Sequence, residues 1–319
     1  MSKKKLKIIA VVLLIGFLIW LIGYCMPPPP PLEKKTHQNQ NITLFIDLSD
    51  HLDETRTSGK GGIMGKDRWE NFIDFTKSFG DVYTEKILTA TKKRNQYNEK
   101  IHIRTHPTTD FRLVDEYLKD IELDKKSIKF SYNVKDDKTV ITSQLVKSIE
   151  GIMKDSRKKY NINAIRQNKW PGSNIYDYFK GKQFYNPEDQ NLLIIYTDGY
   201  PFHEDNLNKK GQYFTKNTHW KTELHDMNQA QLKDEFEANP NLGMKAATAD
   251  LEHLRVLIIG GKTKGSNIYE KELVQFLWSN WLQKMGVKQK NFQMLFMDDC
   301  DTPSLKSAYK WLLNTPWDM

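Results

Sequence analysis

The chain has 319 residues, 39% of them hydrophobic and 28% charged, which is enough apolar material for a sizeable core and excludes both a disordered chain and a polytopic membrane protein. The formal net charge of +8 is concentrated at the start, because residues 1–35 hold six lysines and a single acidic residue. The remainder carries 42 basic and 39 acidic side chains, so we expect no nucleic-acid partner.

Residues 8–26 form a run of 19 uncharged, mostly aliphatic positions, which predicts a transmembrane helix. As a helix they would span about 28 Å, close to the thickness of a bilayer's hydrocarbon core. The basic segment 1–7 precedes them, and positive flanks stay in the cytoplasm, so we expect a single-pass protein whose C-terminal domain lies outside the cytoplasm. A lipoprotein attached at Cys25 is the alternative, although the bulky Tyr24 stands where a small residue is expected.

Residues 27–41 predict a short stalk between the anchor and the rest of the chain. Five consecutive prolines, Pro27–Pro31, cannot continue a helix and favour the extended polyproline II conformation. The polar stretch Leu32–Asn41 completes the stalk, so the folded domain is predicted over residues 42–319.

The domain over residues 42–319 is predicted to be α/β, because short apolar runs alternate with helical periodicity. The clearest predicted strands are Ile42–Ile46, Leu192–Tyr196, Val256–Ile259 and Phe292–Met297, with weaker ones at Ile101–Thr105 and Ile128–Val134. Predicted helices include Arg68–Phe79, Thr139–Tyr160, Asn174–Phe179, Met227–Glu237, Tyr269–Met285 and Pro303–Leu313. This alternation predicts a doubly wound, mostly parallel, Rossmann-like sheet with helices on both faces.

Polar motifs follow two of the predicted strands and precede one short helix. They are Asp47-Leu48-Ser49-Asp50-His51, Gly172-Ser173-Asn174 and Thr197-Asp198-Gly199. In this order they resemble the von Willebrand factor A-type domain and its metal-ion-dependent adhesion site, over about residues 42–314. The family's Asp-x-Ser-x-Ser, loop Thr or Ser, and Thr-Asp-Gly motifs correspond here to Asp47 and Ser49, to Ser173 and to Asp198. Ligands of open α/β sheets bind at the carboxyl ends of strands, where these motifs fall.

The resemblance implies a Mg²⁺ site, since a hard cation prefers oxygen ligands and keeps several waters. Ser49 and Ser173 would bind it through neutral hydroxyls, and Asp47 and Asp198 directly or through water. With few direct negative charges the ion stays electrophilic and can accept a carboxylate from a partner protein. The competing interpretation is that the two aspartates only cap their loops and that Ser173 is a helix N-cap.

His51 departs from the family pattern, which has a second serine at this position. Imidazole suits Zn²⁺ or Mn²⁺ better than Mg²⁺, so these ions are alternative cofactors. Asp50 or Asp53 could take the place of the missing serine, or the site has lost its ion.

Residues 200–250 form a longer connection than neighbouring strands need, starting at the predicted metal edge. One hypothesis is that this insertion walls the site and contacts the partner, with His203 among the contacts. The other is a solvated elaboration with one crossover helix.

The sequence therefore predicts a membrane-anchored, extracytoplasmic interaction module that binds a protein partner, and an enzyme is not favoured because no catalytic residues are identified. Two alternatives stay open. One is a metal-dependent hydrolase that uses Asp47, His51 and the 200–250 insertion. The other is a structural subunit of an envelope complex whose site is degenerate.

Overall fold

The computed structural model describes residues 40–47, 68–91, 100–106, 142–143, 145–151, 175–182, 184–200, 227–238, 243–263 and 269–316. These include five strands: β1 Gln40–Asp47, β2 Lys100–His106, β3 Gln190–Tyr196, β4 Leu254–Gly261 and β5 Phe292–Phe296. The strands form one sheet in the order β2-β1-β3-β4-β5. Every adjacent pair is parallel, so the fold class is α/β as predicted.

Five described helices accompany the sheet: α1 Arg68–Thr91, α2 Ile175–Gly181, α3 Gln229–Ala238, α4 Glu270–Lys284 and α5 Thr302–Asn314. Further helical residues lie at 145–151. Short 3-10 turns, Gln289–Asn291 and Met297–Asp299, flank β5.

Two apolar cores lie on opposite faces of the sheet. On one face, alternate residues of β1 and β3 pack with α1 and α5. On the other face, the intervening strand residues pack with α2, α3 and α4. Because both faces are covered, β3 and β4 are buried at nearly every position, which explains the continuous apolar runs that they carry in the sequence.

The strong strand predictions are confirmed, as is the weaker one at Ile101–Thr105, which lies within β2. The predicted strand Ile128–Val134 falls outside the described residues. Several predicted element boundaries were wrong, and two of these differences have a clear physical reason. Helix α1 continues past Phe79 because Val82 and Tyr83 extend its buried stripe into the same core. Met297 begins a 3-10 turn instead of ending β5, since two exposed aspartates, residues poorly suited to strands, follow it.

The predicted anchor 8–26, with Cys25, and the proline segment of the stalk lie outside the described residues. None of the helices that the structure describes combines the length and apolar character that crossing a bilayer requires. Strand β1 begins at Gln40, two positions before the predicted domain start, and both Gln40 and Asn41 pair with β3.

Arg255 of β4 holds the end of α5 against the sheet. Its side chain is 1% exposed, and Nη1 donates to the carbonyl oxygens of Leu312 at 2.9 Å and Thr315 at 3.1 Å. The guanidinium also lies 5.5 Å from the ring centre of Trp311. Burial lowers the pKa of Arg255 to about 10. The carbonyls at a helix end lack partners within the helix, so this contact satisfies groups that would otherwise need water.

Candidate functional site

The candidate site lies where the strand order changes direction. Strands β1 and β3 are neighbours, while β2 lies on the far side of β1. Ile46 of β1 is in register with Tyr196 of β3, so Asp47 and Thr197 continue side by side at the carboxyl edge. Such a switch point opens a crevice between the loops that leave in opposite directions.

Two carboxylates are buried at this edge. Asp47 is 0% exposed and Asp198 is 4% exposed. Burying a carboxylate is costly unless hydrogen bonds or a cation compensate it. The edge therefore buries two acidic side chains, whose burial is favourable only with such partners.

Thr197 links the ends of the two strands. Its Oγ1 donates to Oδ2 of Asp47 at 2.7 Å and accepts from the backbone N–H of Gly199 at 3.2 Å. The hydroxyl thus has one donor partner and one acceptor partner, which fixes its orientation. The Thr-Asp-Gly motif is visible in the sequence, but the role of Thr197 is not, because its partner lies 150 residues away in the chain.

Asp198 is held by its own turn and by the neighbouring strand. Its Oδ1 accepts from the backbone N–H of Tyr200 at 3.0 Å. Its carbonyl oxygen accepts from the N–H of Lys262 at 2.9 Å, beyond the end of β4. The first contact is an Asx-type turn, so the loop-capping role considered for Asp198 is present in the structure.

Helix α4 bonds to and packs against the turn that follows Asp198. The indole N–H of Trp278 donates to the carbonyl of Gly199 at 2.8 Å, and the hydroxyl of Tyr200 donates to Oε1 of Glu270 at 2.5 Å. Val274 lies between them in sequence and packs against Gly199. The three helix residues recur every four positions, which places them on one face. The spacing of these three residues can be read from the sequence. The turn that they contact cannot, because it lies about 70 residues earlier in the chain.

The other predicted site residues lie outside the described part of the chain: Ser49, Asp50, His51, Ser173 and His203. The structure therefore places Asp47, at the end of β1, beside the Thr197–Asp198 turn and leaves the metal roles as predictions. Within the described ranges, no group of three or more His, Cys, Asp or Glu side chains could hold a metal ion. The oxygen donors described at this edge are the two carboxylates and the Thr197 hydroxyl.

Cys300 lies after β5, on the same carboxyl side of the sheet. Its Sγ donates to the carbonyl of Phe296 at 3.1 Å. Burial raises the pKa of this thiol to about 12. A hydrogen bond with the Gly260 backbone lowers the pKa, but this effect is weaker than that of burial. The thiolate is the reactive form of cysteine, so Cys300 is unsuited to act as a nucleophile at neutral pH.

Comparison with protein-family models, with curated proteins and with solved structures gave no match for this chain.

Proposed function

We propose that this protein is a membrane-anchored, extracytoplasmic module, similar to the von Willebrand factor A-type domain, that binds a protein partner through a divalent cation. The observation that supports it best is the burial of Asp47 and Asp198 at one switch point, with Thr197 bonded to the first and adjacent to the second. Open α/β sheets bind ligands at such points.

The residues at this edge suit a hard cation. Carboxylate and hydroxyl oxygens are the ligands that Mg²⁺ and Mn²⁺ prefer, and a bound cation would offset the charge of two buried carboxylates. Asp47 and Asp198 would hold the ion, together with Ser49 and Ser173 as the family resemblance implies. When bound, the ion would supply an electrophilic position that accepts a carboxylate oxygen of the partner.

Anchoring is proposed from the sequence of residues 8–26, which are long and apolar enough to cross a bilayer as a helix. The preceding lysines favour a cytoplasmic N-terminus, which would put the cation edge outside the cytoplasm.

The proposal is tested by thermal unfolding of the full chain in detergent, with EDTA or with added Mg²⁺, Mn²⁺ or Zn²⁺. An ion at a hundred times its Kd stabilises the folded state by about 2.7 kcal/mol, which raises Tm by several degrees. Asp47→Asn and Asp198→Asn keep the side-chain shape but remove a charge, and we expect them to abolish the shift. Asp74→Asn removes an exposed carboxylate of α1 and should keep it.

A second measurement tests whether the partner binds through a carboxylate. In the presence of Mn²⁺, we expect a peptide with a single glutamate to bind the wild-type chain, and its glutamine counterpart to bind at least tenfold more weakly. No shift in Tm with any of the three ions would contradict the proposal. A shift with Zn²⁺ accompanied by turnover of ester or phosphoester substrates would favour the hydrolase instead.

A further inference from the structure

We infer that Glu270 is a positioning residue for Asp198 and acts on it through Tyr200. This inference deepens the proposed function, because it names what holds one of the two buried carboxylates in place. It rests on three consecutive contacts that connect the first turn of α4 to the cation edge.

The first contact fixes the carboxylate. Oδ1 of Asp198 accepts from the backbone N–H of Tyr200 at 3.0 Å, and this bond is buried. Rotation of the carboxylate would break the bond inside the protein, where a lost partner is not readily replaced by water. The orientation of Asp198 therefore depends on where the Tyr200 backbone lies.

The second contact fixes Tyr200. Its hydroxyl donates to Oε1 of Glu270 at 2.5 Å, a length typical of a hydroxyl bonded to a carboxylate. Tyr200 is 9% exposed and Glu270 is 8% exposed. A short, buried bond of this kind restrains the ring, and the ring restrains the backbone two residues from Asp198.

The third contact places Glu270 on a rigid support. Glu270 is the first residue of α4, where a carboxylate is favoured by the positive end of the helix. Two turns further along, Trp278 of the same helix bonds to the carbonyl of Gly199. Helix α4 therefore contacts both residues of the Gly199–Tyr200 peptide bond. Trp278 bonds to Gly199, and Glu270 bonds to Tyr200, whose backbone N–H bonds to the Asp198 carboxylate.

Metal ligands in proteins are commonly oriented by a second layer of hydrogen bonds, whose loss weakens metal affinity about 10- to 100-fold. Glu270 and Tyr200 occupy such a layer for Asp198. The inference requires the hydrogen bond to Tyr200 and not the charge of Glu270, so glutamine, which retains an acceptor oxygen, should replace Glu270 while leucine should not.

The test compares Tyr200→Phe, Glu270→Leu and Glu270→Gln in the full chain in detergent. Tyr309→Phe is the control, because it removes another buried, hydrogen-bonded hydroxyl, one that bonds to Tyr196 and to the Phe75 carbonyl in the opposite core. Two quantities are measured: hydrogen exchange of the Tyr200 amide without metal, and the Kd for Mn²⁺.

We expect exchange of the Tyr200 amide to accelerate about tenfold in Tyr200→Phe and Glu270→Leu, beyond any change in Tyr309→Phe. We expect Mn²⁺ to bind those two variants about tenfold more weakly, and Glu270→Gln to stay within twofold of wild type in both measurements. Equal exchange in Tyr200→Phe, Glu270→Leu and Tyr309→Phe would overturn the inference. If the wild-type chain binds no Mn²⁺ and none of the three ions shifts its Tm, the proposed function fails, and the exchange measurement alone still decides whether Glu270 positions Asp198.

Discussion

The hydroxyl of Thr197 donates to the carboxylate of Asp47 over 2.7 Å, although 150 residues separate the two in the chain. This bond joins the carboxyl ends of β1 and β3, the adjacent strands between which the strand order changes direction. The bond is buried, so it links the ends of the two strands inside the protein, and a change at Thr197 should affect both ends.

We expect Thr197→Val to destabilise the fold, because valine has the same shape but cannot donate to Asp47. Hydrogen bonds to charged groups contribute about 1.5–3 kcal/mol, so the free energy of unfolding in urea should fall by about that amount. Thr197→Ser retains the hydroxyl and should lose less than half as much. Equal stability of the valine variant and wild type would show that this bond does not contribute.

Gly199→Ala should destabilise the turn that carries Asp198. Gly199 has φ of +91°, and a Cβ there would lie 2.8 Å from the Met294 methyl carbon and 3.2 Å from Val274. We expect a loss of about 1–3 kcal/mol in the free energy of unfolding, from backbone strain and overpacking together. The matched change Gly181→Ala, at the exposed end of α2, should be neutral or stabilising. A similar effect at both positions would contradict this account.

Arg255→Met should loosen the end of α5. Methionine fills part of the volume but leaves the carbonyls of Leu312 and Thr315 without their donor. We expect a loss of about 2–4 kcal/mol in unfolding free energy, with faster hydrogen exchange in the last turn of α5. Arg104→Met provides the comparison, since Arg104 is less buried and donates only to its neighbour's carbonyl among the bonds described for it. Its replacement should cost less than about 1 kcal/mol.

Alkaline pH should destabilise the folded protein, with Tyr196 contributing. Burial raises the pKa of Tyr196 to about 12, and burial likewise raises the pKa of Tyr309. The unfolded chain releases the Tyr196 proton near pH 10, whereas the folded chain keeps it, so this contribution is constant below pH 10 and is lost as the pH rises towards 12.

Unfolding in urea at a series of pH values measures this effect. Between pH 10 and 12, the wild-type free energy of unfolding should fall more steeply than that of Tyr196→Phe, by up to about 1.4 kcal/mol per pH unit. Between pH 7 and 9 the two slopes should coincide. Parallel curves across the alkaline range would refute the role given to Tyr196.

The strands were predictable because a parallel sheet covered on both faces needs apolar residues at successive positions, as in Leu192–Tyr196. Asp47 and Asp198 were expected at one edge because both follow strands predicted to be parallel, and the carboxyl ends of parallel strands meet at one edge, where ligands bind. The bond between Thr197 and Asp47 could not be predicted, because it depends on the register of two distant strands. The contact between Tyr200 and Glu270 depends likewise on how α4 packs, which no local pattern records.

The position of strand β1 has a mechanical consequence for the anchoring and the ligand site proposed above. The strand is eight residues long, lies between β2 and β3, and ends at Asp47. Consider a tensile force that acts on Gln40 while a ligand holds Asp47 in place. This force would be transmitted along the covalent backbone of β1 alone. Extracting this strand would require the hydrogen bonds to β2 and to β3 to shear at the same time.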